Sequence, residues 1–98
     1  MSKAGVMQLT EAVAAQLAPH NIRINTIEPG AIYTEVLFDY FKNKEDADTF
    51  AKNVPLGFMA TAADFDGTVL YLASNNASRY VTGSTIRVDG GLATKDTF

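Results

Sequence analysis

Two short runs of β-branched residues limit what this chain can fold into. One is Ile22–Glu28, where Ile22, Ile24 and Ile27 carry the branched bulk and Pro29-Gly30 ends the run. The other is Ser84–Val88, closed by Asp89 and the pair Gly90-Gly91. Between them lies a long stretch with helical spacing. Strands separated in this way do not form a hairpin. They call for parallel pairing through a crossover, which is right-handed in nearly all proteins.

The segments around the strands read as helices. In Met1–Ala18, residues Val6, Leu9, Val13 and Leu17 recur at spacings of three and four and so share one face. Ala4, Gly5, Ala12, Ala14 and Ala15 thin the rest of that surface and permit close approach of a neighbour. Pro19 stops the helix, because it disfavours α geometry in the residue before it, and Asn21 suits a left-handed turn. A second helix is expected from Thr34 and a short one over Glu45–Asn53. Thr61 is placed to cap a helix over Ala62–Ala73, with Phe65, Val69, Leu70 and Leu72 on its apolar side. Gly67 weakens that helix by roughly 1 kcal/mol relative to alanine unless close packing compensates. The order is helix, strand, helices, strand. A parallel sheet normally needs more strands and cover on both faces, so the pattern is locally consistent and globally short.

The chain of 98 residues has room for one small domain. Hydrophobic residues at 47% and charged residues at 19% exclude an intrinsically disordered chain. No cysteine is present, which removes disulfides, thiolate metal sites and cysteine nucleophiles. A net charge of −3 with no basic face argues against nucleic acid as a partner. No run approaches the ~20 apolar residues of a membrane span, and Gln8, Glu11 and Gln16 make the first segment too polar for a signal-peptide core. No metal site is expected, and the reading is of a soluble, cytoplasmic protein.

Four stretches, in order and at matching separations, resemble the carboxyl-terminal part of a short-chain dehydrogenase/reductase. They are SKAGV, NIRINTIEPGAIYTE, NVPLGFMATAADFDGTVLYLAS and SRYVTGSTIRVDGG. Together they cover almost the whole chain. The resemblance implies an α/β fold: one partial domain, the carboxyl-terminal part of a Rossmann-like doubly wound parallel sheet.

The same resemblance implies site residues. The family's active-site motif is Tyr-x-x-x-Lys, and Lys3 matches its lysine. The tyrosine falls four residues earlier, ahead of Met1, and no G-x-G-x-x-G turn for a cofactor pyrophosphate occurs in the chain. In complete relatives the lysine stabilises the tyrosinate and hydrogen-bonds the ribose of the nicotinamide half. Pro29, Gly30, Ile32 and Thr34 are assigned to the nicotinamide loop, with the Ile32 backbone and the Thr34 hydroxyl on the carboxamide. Tyr33, Val36, Leu37, Phe38 and Phe41 read by spacing as a helical core stripe, and the resemblance assigns them to a substrate lid.

Two departures from the pattern stand out, Glu28 before Pro29-Gly30 and Phe58 where an arginine is commoner. By itself Lys3 would be a surface lysine, Pro29-Gly30 a turn, His20 a solvated residue and Asp89 turn chemistry. The expectation is therefore a portion of an NAD(P)-dependent oxidoreductase for an alcohol/ketone pair. On its own the chain is expected to be inactive, binding NAD or NADP weakly and partnered by the missing amino-terminal half or by identical chains. The competing reading is a non-catalytic remnant that serves as an oligomeric or binding module.

Overall fold

The computed structural model describes residues 3–30 and 44–93. In order these form helix α1 (Lys3–Leu17), a 3-10 turn (Ala18–His20), strand β1 (Thr26–Pro29), helix α2 (Lys44–Ala51), a second 3-10 turn (Ala62–Phe65), helix α3 (Asp66–Ala73) and strand β2 (Thr85–Val88). The helix expected from Thr34 lies outside the described residues. The two strands pair with each other. Thr26 N–H donates to the Ser84 carbonyl at 2.9 Å and Gly30 N–H to the Val88 carbonyl at 3.1 Å. Donor and acceptor advance in step along the chain, so the pair is parallel, as the long helical connection requires.

The chain divides into two compact units, residues 1–28 with 67–86 and residues 29–66 with 87–98. In the first, α1 packs through its small residues. Ala14 is buried at 2% exposure and Thr10 at 7%, whereas Leu9 is 52% exposed. The face read from Val6, Leu9, Val13 and Leu17 is therefore not the one most deeply buried. Thr10 and Ala14 lie about 80° round the helix from that line, at about 100° per residue. They take the inner position because they are small. A Cβ built on Gly83 would stand 3.4 Å from the Ala14 Cβ, so the two segments approach closely at this point.

Strand pairing starts later than the β-branched run suggests. Asn21 is left-handed at φ 60°, as its residue type permits, and its N–H caps the Ala18 carbonyl at 3.0 Å. Ile24 N–H then goes to the Thr82 hydroxyl at 3.1 Å, not to backbone. Asn25 stands in for a ladder partner. Its Nδ2 donates to the Val81 carbonyl at 3.0 Å and its Oδ1 accepts from Ser84 N–H at 3.0 Å. Backbone also joins the two segments here, Gly83 N–H donating to the Ile24 carbonyl at 2.7 Å, and the regular strand follows from Thr26.

α3 begins one turn after its cap. The Asp64 carboxylate accepts from Thr61 N–H at 2.8 Å, and Asp64 N–H donates to the Thr61 carbonyl at 3.0 Å. That i to i+3 closure makes Ala62–Phe65 a tight 3-10 turn, which relaxes to α geometry at Asp66. A Cβ built on Gly67 meets nothing within 4 Å, so close packing does not compensate for this glycine among the described residues. Val69 and Leu70 of α3 are 50% and 69% exposed, and Ile22 is 46% exposed. Ile24 and Leu72 are half-buried.

In the second unit Val54 is buried at 4% exposure against the loop that follows β2. Gly90 has φ 63°, and a Cβ there would meet the Val54 Cγ1 at 2.7 Å. Leu56 N–H donates to the Gly90 carbonyl at 3.0 Å, which holds the two loops together. Among the described residues no helix is long and apolar enough to cross a membrane.

Candidate functional site

The carboxyl end of a parallel strand pair is where open α/β sheets bind ligands. Here that end belongs to the second unit and is formed by Pro29, the last residue of β1, with Gly30 after it, and by Asp89-Gly90 after β2. The two exits touch. A Cβ on Gly30 would stand 2.7 Å from both Cα and Cβ of Asp89. Asp89 in turn folds its own loop, its carboxylate accepting from Gly91 N–H and Ala93 N–H, each at 3.0 Å. This is the turn chemistry expected of Asp89.

The geometry limits what Pro29 and Gly30 can offer a ligand. Proline has no N–H, and the Gly30 N–H is already bonded to Val88. Neither residue has a backbone donor to spare. A backbone donor from this strand exit would have to come from beyond Gly30. Ile32, Thr34 and the lid residues Tyr33, Val36, Leu37, Phe38 and Phe41 lie outside the described residues. Lys3 opens α1 in the first unit. Glu28, one of the two departures, is half-buried on β1.

A niche of about 140 Å³ adjoins the β2 exit, between Val54, Leu56, Phe58, Ala60, Asp64, Val88, Asp89 and Gly90. It is well below the ~300 Å³ at which ligand pockets begin. Phe58, the other departure, lines it at 55% exposure. Among the described residues no cluster of His, Cys, Asp and Glu could hold a metal ion.

A wider groove of about 650 Å³ lies within the first unit, lined by residues including Ile22, Arg23, Asn75, Arg79 and Tyr80. Sequence reading did not single out Arg23. Its guanidinium donates to the carbonyls of Leu72 at 3.0 Å and Val81 at 3.3 Å and to Asn75 Oδ1 at 3.1 Å. One side chain thus ties the end of α3 to the approach to β2. That role is structural, and nothing in the local sequence marked it, because its three acceptors lie about fifty residues away.

Comparison with known proteins agrees with this arrangement. The profile of the family described as enoyl-(acyl carrier protein) reductase matches residues 1–93. D-arabinitol 2-dehydrogenase (ribulose-forming) of Candida tropicalis is 41% identical over 92 residues, which are 93% of this chain and 33% of that protein. NADH-dependent L-xylulose reductase of Ambrosiozyma monospora is 37% identical over 93 residues, 94% of this chain and 34% of that protein. Among solved structures, a short-chain type dehydrogenase/reductase from Mycobacterium marinum superposes with a TM-score of 0.75 at 44% identity, over 92% of this chain and 34% of that one. The chain thus spans about a third of the length of the curated relatives it matches. The strand pairing, the ordered motifs and the profile match agree that the chain belongs to the short-chain dehydrogenase/reductase family.

Proposed function

We propose that this chain is the carboxyl-terminal portion of an NAD(P)-dependent oxidoreductase that interconverts an alcohol and a ketone, with a polyol or sugar as the substrate class. The single observation that carries the reading is the match over 93% of the chain to D-arabinitol 2-dehydrogenase at 41% identity. The L-xylulose reductase of Ambrosiozyma monospora supports the same class.

When bound, the nicotinamide supplies or accepts the hydride. This chain's residues do the rest on their side of the site. Lys3 supplies a cation that favours the charged form of a nearby phenol and so lowers its pKa. It also offers donors to ribose hydroxyls. Pro29 and Gly30 give the β1 exit its stiff, close-set shape, and the backbone of Ile32 and the hydroxyl of Thr34 orient the carboxamide. Tyr33, Val36, Leu37, Phe38 and Phe41 exclude water over the substrate. The whole is one partial domain, completed by an amino-terminal portion or by identical chains.

The test is a chimera in which this chain replaces the matching third of the Candida tropicalis enzyme. The expected result is NAD⁺ reduction on addition of D-arabinitol. A folded chimera that binds NAD⁺ but turns over no polyol contradicts the proposal.

A further inference from the structure

A chain of hydroxyls joins α1 to β1 inside the first unit. Thr10 Oγ1 donates to the Val6 carbonyl at 2.9 Å, one turn back along α1. The Thr10 and Thr26 hydroxyl oxygens are 2.6 Å apart. A hydroxyl has one hydrogen, and that of Thr10 is committed to Val6, so the Thr26 hydroxyl must donate to Thr10. The order is Thr26 to Thr10 to Val6. The two threonines are also held from elsewhere. Thr26 N–H is bonded to Ser84 across the sheet, and Thr10 is only 7% exposed.

Lys3, Val6 and Thr10 stand at i, i+3 and i+7, which places them on one line of the helix. The relay therefore fixes the rotation of α1 on the same line that Lys3 occupies, about two turns away. Rotation is the coordinate to which a long side chain is most sensitive. A turn of about 15° carries a tip about 6 Å from the axis through roughly 1.5 Å. Misplacement by ~1 Å at a reacting site is enough to cost about a hundredfold in rate. Apolar packing is a weak guard against such rotation here, since the buried residues on this face are small and Leu9 stands exposed at 52%.

We propose that Thr10 is the positioning residue for Lys3, holding the rotational phase of α1 through the Thr26–Thr10–Val6 hydroxyl relay. The proposal rests on the reading of Lys3 as an active-site lysine given above, and its test separates the two. On the 98-residue chain, amide hydrogen exchange is read by mass spectrometry for wild type, Thr10→Val and Thr10→Ser. Valine keeps the shape and removes the relay, and serine keeps the relay. Exchange over residues 6–14 is expected to quicken about tenfold in Thr10→Val and to stay within about twofold in Thr10→Ser. Equal exchange in all three overturns the relay.

In the chimera the pH profile of kcat/KM is then compared. Both Lys3→Ala and Thr10→Val are expected to move the acidic limb to higher pH, by roughly half a unit or more, and Thr10→Ser to restore it. Thr26→Val, which removes the donor and leaves the Thr10 bond to Val6 intact, is expected to move it in the same direction. It also serves as the reading if Thr10→Val does not fold. An unmoved profile in Lys3→Ala overturns the lysine reading and the proposal together. A profile moved by Lys3→Ala but by neither threonine variant overturns the proposal alone.

Discussion

Gly30 and Asp89 approach so closely that a methyl group on Gly30 would lie 2.7 Å from both Cα and Cβ of Asp89. The glycine that follows β1 is thus required by the chain's own loop after β2, whatever ligand approaches it. Both contacts are at the root of the aspartate and cannot swing away. Gly30→Ala is expected to destabilise by about 1–3 kcal/mol, in the range of overpacked sites. Denaturant unfolding monitored by circular dichroism checks this, and an unchanged midpoint would show that the loop yields.

Gly67 is the opposite case. It sits in α3 with open space around its Cβ position. Gly67→Ala is expected to stabilise by about 0.5–1 kcal/mol through helix propensity and a less flexible unfolded chain. The thermal midpoint is the readout, and a fall would indicate that the site is covered in the assembled protein.

Arg23 offers a sharper contrast between two cations. Its three acceptors, the Leu72 and Val81 carbonyls and Asn75 Oδ1, are reached by a fork. Lysine is a single point charge and cannot span them. Arg23→Lys is expected to retain charge yet lose about 1–2 kcal/mol, with Arg23→Ala losing more. Urea midpoints of the two variants test the order.

Self-association is expected from the apolar surface left open. Met7 and Leu9 of α1 and Val69 and Leu70 of α3 are each more than 40% exposed. Exposing such a side chain costs roughly 1.5–3 kcal/mol, against ~5–15 kcal/mol of total stability for a typical domain. Sedimentation equilibrium on the pure chain is expected to show dimers or larger species, with Leu9→Gln shifting them toward monomer. A compact monomer at every concentration contradicts this.

Much of the fold was legible because the constraint was topological. The separation of Ile22–Glu28 from Ser84–Val88 forced parallel pairing, and Pro19 and Thr61 marked the end of α1 and the cap before α3 in their own residue types. What was not legible depended on partners distant in the chain. The depth of α1 burial follows Thr10 and Ala14 because Thr26 and Gly83 lie opposite them, and no spacing rule within the helix reveals that. The late start of β1 has the same cause, since Asn25 and Thr82 make bonds beside the backbone bond from Gly83 N–H to the Ile24 carbonyl. The candidate site was legible only through the ordered motifs. Lys3 alone resembles any surface lysine, and the role proposed for it rests on SKAGV standing ahead of PGAIYT at the family's spacing.

Lys3 is therefore the residue on which the functional account turns. The most direct measurement is the kcat/KM of the chimera with D-arabinitol and NAD⁺, before and after Lys3→Ala, with unchanged circular dichroism as the control for folding. The account predicts a fall of about a hundredfold or more, the scale of a lost proton-transfer or positioning group. An Lys3→Ala chimera that turns over at the parent rate would contradict it.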